Sequence, residues 1–327
     1  MYYVIPVSNF VTDNAMKLGD SFLIPHAYWG QYLNGEIEYD GAITADEKNL
    51  IHDIMEICIN DYSKFMAVPC IIMKRLDNSI IDGTDINNEM LHLEKVCYEA
   101  NSFLDLFRVY ECNHLNRETL PGLPGLIKDS FTREGIAVNE KTGEYRSLLG
   151  NVFHLFVQRG LGLYTSIYSP STENLNEYEC FFSTRKDEVY LRCRAALSRI
   201  SNSMYIDDLS ISFVYLMSTL EMLASSEYIN FRKVKSKILP FICENAEEYH
   251  NVSGELRFWS ESLRTSIVHN GENILNLVNG YNELKHIFAL LCGYIRNYCS
   301  AVIATGITTF VELENYRLTK QTELGIK

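Results

Sequence analysis

Arg264 and His269 stand five positions apart in "SLRTSIVHNGEN", just ahead of an Asn-Gly pair. A guanidinium holds phosphate oxygens in a fork and an imidazole transfers a proton, so this pair has the chemistry to cut a phosphodiester. Spacing alone does not single it out. With 15 Arg and 8 His in 327 residues, an Arg and a His this close should occur roughly once by accident. A second pair does occur, in "RVYECNH", from Arg108 to His114.

Context separates the two. Arg108 and His114 close a long acidic helical segment, beside Asp105 and Glu111 and ahead of the loop "LNRETLPGLPG". They read as a surface helix end. "LRFWSESLRTSIVH" is instead amphipathic, with Leu256, Trp259, Leu263 and Ile267 on one broad face. Asn270-Gly271 stops it, because glycine supplies the left-handed residue that ends helices. His269 then falls in the last turn, where the helix dipole favours its cationic form. That suits an acid/base group, and it also suits a histidine that only neutralises a helix end. Five residues at 3.6 per turn set Arg264 and His269 about 140° apart. Either the last turn loosens, or the working site needs a second copy of the chain.

The elements that would position these residues differ along the chain. Over residues 1–180, "YYVIPV" and "FMAVPCIIMKRL" read as strands, and "TADEKNLIHDIMEICINDY" as a helix. "NNEMLHLEKVCYEANSFLDLFRVYEC" reads as a second helix with Leu91, Val96, Phe103 and Leu106 on one face, and "GIAVNEKTGEYRSLL" as a hairpin turning at Lys141-Thr142-Gly143. These signals give an α+β domain. The polar stretch Tyr168–Cys180 reads as a linker. Residues 181–327 are helical in pattern: Leu209, Phe213, Leu216, Leu220 and Leu223 recur at steps of four and three, with Asp207 or Asp208 as cap. Further helices are expected near Lys186–Ile200, Phe231–Tyr249, Glu255–His269 and Tyr281–Ala304, forming an all-α bundle.

Charge divides the same way. The formal net charge is −13, and residues 1–180 hold 13 Lys/Arg against 26 Asp/Glu, whereas 181–327 hold 16 of each. The acidic first part repels a polyanion, so contact with nucleic acid is expected in the second. There the densest basic cluster is Arg232, Lys233, Lys235 and Lys237, either an RNA-tracking face or a solvated helix start. Arg192, Arg194 and Arg199 pose the same choice. The chain has no Gly-x-x-x-x-Gly-Lys, Gly-x-Gly-x-x-Gly or His-Glu-x-x-His sequence, so neither cofactor nor metal is expected. Nine scattered cysteines, with no Cys-x-x-Cys pair, read as reduced and mostly buried. "MYYVIPVSNF" has no basic lead into an apolar core, and "IFALLCGYI" is too short to span a bilayer. A cytoplasmic protein without a membrane segment is expected.

The Arg-x4-His pair in "LRTSIVHNG", late in a helical bundle, resembles the motif of the HEPN superfamily, Arg-x(4–6)-His. The ApeA-like branch is the most similar, because the helix "FVYLMSTLEMLAS" carries a Leu-Glu pair, Leu220-Glu221, as that branch does. The likeness covers roughly 185–305. Thr265 stands where many active members carry Asn, Asp or His, and Asn270 separates the histidine from Gly271. The resemblance implies an HEPN-like bundle acting as a metal-independent endoribonuclease, with paired helices of a homodimer facing each other across a cleft. His269 would serve as general base or acid for attack by the RNA 2′-hydroxyl, and Arg264 would hold the phosphate. Glu221 would orient Arg264, and Thr265 and Asn270 would support the site. The family serves bacterial anti-phage defence and toxin systems, which implies a regulatory or antitoxin partner, and residues 1–180 would sense a trigger or restrain the nuclease. The alternative is a non-catalytic HEPN-like module that only dimerises or binds a partner.

Overall fold

The computed structural model describes residues 1–26, 28–59, 68–75, 86–127, 132–151, 162–165, 175–225, 227 and 229–326. They fall into two units, Met1–Leu104 with Glu118–Thr172, and Asp105–Arg117 with Glu173–Lys327. The helical unit thus starts before residue 181 and takes in a short stretch from the middle of the acidic region.

The first unit is built on strands β1 (Tyr2–Pro6), β2 (Phe10–Thr12), β3 (Met16–Leu18) and β4 (Ser21–Ile24), helices α1 (Tyr28–Asn34) and α2 (Ala45–Ile59), then β5 (Cys70–Lys74) and α3 (Ile86–Phe103). After α4 (Asp105–Glu111), which belongs to the second unit, come β6 (Thr132–Val138), β7 (Tyr145–Asn151) and β8 (Leu163–Thr165). Six strands form an antiparallel sheet in the order β3-β4-β5-β1-β6-β7, while β2 and β8 pair in parallel. Every residue of β1 is buried because both sheet faces are covered. Tyr2, Val4, Phe22 and Ile72 meet Ile51, Ile54 and Met55 of α2. On the opposite face Tyr3 hydrogen-bonds His92 of α3 at 2.8 Å. The expected hairpin is β6-β7, with Gly143 at φ +70° in its turn.

Gly162, at φ +77°, lets β8 reach β2, and an added Cβ would sit on the Asn9 carbonyl. Gly162→Ala should therefore destabilise the first unit by at least ~1–3 kcal/mol, the scale of a strained backbone residue. Chemical denaturation checks this, and an unchanged midpoint would contradict it.

The second unit is helical: α5 (Leu175–Phe182), α6 (Glu188–Ser203), α7 (Leu209–Ala224), α8 (Phe231–Ile238), α9 (Ala246–Phe258), α10 (Thr265–Asn270), α11 (Ile274–Leu277), α12 (Tyr281–Ala304) and α13 (Phe310–Glu323). α6, α7 and α12 pack together as its core, with α4 against α6. Phe213, Leu216 and Leu220 of α7 and Leu291, Ile295 and Cys299 of α12 are fully buried. Asp208 caps α7 by accepting from the Ser210 and Ile211 amides, as its position anticipates. α12 is long and apolar enough to cross a membrane by length and composition, beyond the nine-residue run read from the sequence, and 44% of its most apolar window is buried.

Three readings are corrected. The sequence reading made Tyr168–Cys180 a linker, but Leu175–Phe182 is α5; residues 168–174 lie outside the described residues. The segment read as one helix over 87–112 breaks at Leu104 into α3 and α4, and Leu91 is 54% exposed, off the buried face. The helix expected over Phe231–Tyr249 is cut by Pro240, which lacks the amide hydrogen a continuing helix uses, so a short 3-10 turn, Leu239–Phe241, separates α8 from α9. Nothing in the periodicity pointed to α13, whose start is nevertheless written in a Thr309/Glu312 capping box.

Candidate active site

α9, a π-helical turn (Trp259–Arg264) and α10 form one continuous helical run. Leu256, Trp259 and Leu263 anchor its inner face, all at most 4% exposed. Trp259 is therefore core, whereas Phe258 is 50% exposed. The π-turn widens the helix, and the Thr265 hydroxyl donates to the Ser260 carbonyl, five residues back, at 3.2 Å. Such single π-turns occur frequently at functional sites. The run ends as its sequence foretells: Gly271 adopts φ +69°, and its amide donates to the Ser266 carbonyl.

One wall of an open pocket of about 820 Å³ is this run, and α7 and α8 supply the rest. Arg264 and His269 both line it, with Thr265 and Val268 between them. The two thus share one pocket in a single chain, despite the angle of about 140° between them on an ideal helix. The pocket is broad enough for one chain to present both residues on the same wall.

Arg264 is held. Its Nη1 donates to Glu221 Oε1 on α7 at 2.6 Å, and the two side chains are only 30% and 24% exposed. A short, partly buried pair of this sort fixes orientation far better than a surface pair. His269 lies exposed on the helix's last turn. Asn270 is turned away, its amide donating to Glu272 at 3.3 Å, and does not line the pocket.

The basic cluster on α8 divides. Arg232 and Lys235 line the pocket; Lys233 does not, and Lys237 pairs with Glu314 at 3.6 Å. Lys235 donates to the Ser253 carbonyl at 3.1 Å. Burial pushes its ammonium below the usual lysine range; Glu261 opposes that shift, and Arg257 and Arg232 add to it. Arg257 and Glu261, also on the wall, were not singled out in the sequence, although Arg257 lies two helical turns before Arg264.

Arg192, Arg194 and Arg199 are engaged inside the helical unit. Arg192 donates to the Met222 and Ser225 carbonyls, Arg194 to Asp105 and Ser198, and Arg199 to Ser218.

The other Arg/His pair is not a surface helix end. Arg108 and His114 are 0% and 3% exposed. Arg108 lies 3.8 Å from Asp105, donates to Ser201 at 3.3 Å and covers the Tyr205 ring. His114 hydrogen-bonds Ser203 at 2.7 Å and stacks on Phe288. Burial, with Arg117 adding to it, lowers the His114 imidazole to about 3. The fold thus keeps His114 neutral while the unfolded chain protonates near 6.5. Its stabilising share is fully present above pH 6.5 and declines as the pH falls from there to about 3. His114→Gln should flatten stability against pH across that window; an unchanged slope would contradict the assignment.

Among the described residues, His52, Asp53 and Glu56 of α2 have ligand atoms within 4.8 Å of one another, a spacing that could hold a metal ion. They belong to the first unit, apart from the Arg264 pocket's own residues. Seven of the nine cysteines are buried, and burial pushes the Cys58 and Cys97 thiols up to about 12. No known protein family, curated protein or solved structure matches this chain.

Proposed function

We propose that the helical unit is an HEPN-type, metal-independent endoribonuclease, acting in the cytoplasm in anti-phage defence or a toxin system under a regulatory partner. One observation carries the reading: Arg264, fixed by Glu221, and His269 line the same pocket, whose other cations are Arg232, Lys235 and Arg257. A scissile phosphate seated on the free side of the Arg264 fork would have its charge stabilised in the transition state. The exposed imidazole of His269 would take the proton of the 2′-hydroxyl or return one to the leaving oxygen. Both tasks need only side chains.

A homodimer through the helical unit is part of the proposal. Its support is the exposure of Phe258 (50%) and Val268 (51%) on the same helical run, beside Arg257 and His269. Dilution should lower specific activity, and a sedimenting monomer with activity strictly proportional to enzyme would remove the dimer.

The rival is a non-catalytic module that dimerises or binds a partner. It draws on the place of His269, exposed in the last turn of α10, where a cation is useful merely for neutralising a helix end. Induced expression in bacteria separates the two. A nuclease makes the wild type toxic and His269→Ala harmless; a scaffold makes them alike.

A further inference from the structure

Two acidic side chains line the Arg264 pocket, and they are held differently. Glu221 grips Arg264 in a pair that is about three-quarters buried. Glu261 pairs with Arg257 at 2.8 Å, but there the side chains are 67% and 64% exposed. An exposed ion pair is weakly held, so an anion entering the pocket can take Arg257 from Glu261 while Arg264 stays oriented. Lys235, across from it on α8, is partly buried in the same pocket, under the influence of both Arg257 and Arg232. Arg257 and Arg264 are seven positions apart, about two turns along the helical run. A strand carrying successive phosphates can meet both at once.

We infer that Arg257 and Lys235 form a second phosphate subsite, so that the pocket takes an RNA strand through at least two phosphates, one on Arg264 and a neighbouring one on Arg257 and Lys235. This rests on the ribonuclease reading for the choice of RNA and extends it: the substrate is an internal stretch of strand, and a nucleotide with a single phosphate fills half the site. Glu261 holds Arg257 until the strand arrives and then competes with it.

The test uses the full chain and a fluorescent RNA octamer that is 2′-O-methylated throughout, which blocks attack by the 2′-hydroxyl and lets binding be read without cleavage. Anisotropy titrations from low to moderate salt give the slope of log affinity against log salt, about 0.7 per phosphate neutralised on a single strand. Arg257→Gln combined with Lys235→Gln should lower that slope by about 0.7, the share of their one phosphate. Lys285→Gln, exposed on α12 and outside the pocket, should leave it unchanged. Glu261→Gln should bind the octamer several-fold more tightly, a gain that a misfolded variant cannot produce. An unchanged slope in the double variant, or weaker binding by Glu261→Gln, would overturn the subsite. Cleavage of unmodified RNA is scored separately: slopes as expected with no cleavage keep the subsite and remove the nuclease, and cleavage with unchanged slopes does the reverse.

Discussion

His269→Ala is expected to lower RNA cleavage at least ~10²-fold, the lower end for a lost acid/base group. The loss should come without unfolding. His269 is exposed in the final turn of α10, and that turn is already closed by Gly271 in the left-handed conformation. Surface replacements of this kind usually change stability by less than ~0.5 kcal/mol. Arg264→Lys should also be poor, since an ammonium cannot both keep the Glu221 contact and offer a planar fork to phosphate. Initial rates on unmodified RNA, with thermal unfolding run in parallel, check both variants. Full activity in His269→Ala would leave the imidazole with no more than the helix-end role.

Asp105→Ala should produce the largest stability loss. Asp105 is 1% exposed, accepts from Arg194 at 2.8 Å and from Ser198, and lies 3.8 Å from the wholly buried Arg108. Removing the carboxylate leaves two cations, one of them fully buried, without their common counter-charge. Truncating one member of a buried ion pair typically costs about 3–5 kcal/mol. The cluster joins α4 to α6, so the damage should be local to the helical unit. Denaturant unfolding should show a lower midpoint, and activity should fall only as the folded fraction does. A loss under ~1 kcal/mol would mean that the cluster contributes little.

Short-range signals in the sequence were read accurately because they are physical causes in themselves. The step pattern of Leu209, Phe213, Leu216, Leu220 and Leu223 marked α7, Asp208 marked its start, and Asn270-Gly271 marked the end of α10. The expected span of α12, Tyr281–Ala304, matches the helix observed. What escaped depends on distant partners. The choice against Arg108/His114 rested on acidic neighbours that suggested solvent, yet one of them, Asp105, belongs to a buried network closed by Arg194 and Ser201, some ninety positions away. Sequence spacing cannot show that closure.

The site shows the same division. Arg264, His269 and the Glu221 contact were legible from motif and helix order, and the hydrogen bond at 2.6 Å gives Glu221 the orienting geometry expected of it. Arg257 and Glu261 were passed over, although they lie on the same helical face one and two turns ahead of Arg264. The π-turn between Trp259 and Arg264 was not foreseen, because it leaves the hydrophobic spacing of Leu256, Trp259 and Leu263 looking like an ordinary α-helix. Arg192, Arg194 and Arg199 look like a basic face in sequence and spend their donors inside the unit.

The chemistry of the cut ends tests the proposed function most directly. The purified protein is incubated with a defined single-stranded RNA in EDTA, beside His269→Ala at equal concentration, and the fragments are identified by mass. Attack by the neighbouring 2′-hydroxyl, assisted by His269 with no metal, gives fragments ending in 2′,3′-cyclic phosphate from the wild type, and none above background from the variant. Cleavage abolished by EDTA, 3′-hydroxyl ends, or equal fragments from the His269 variant would contradict it.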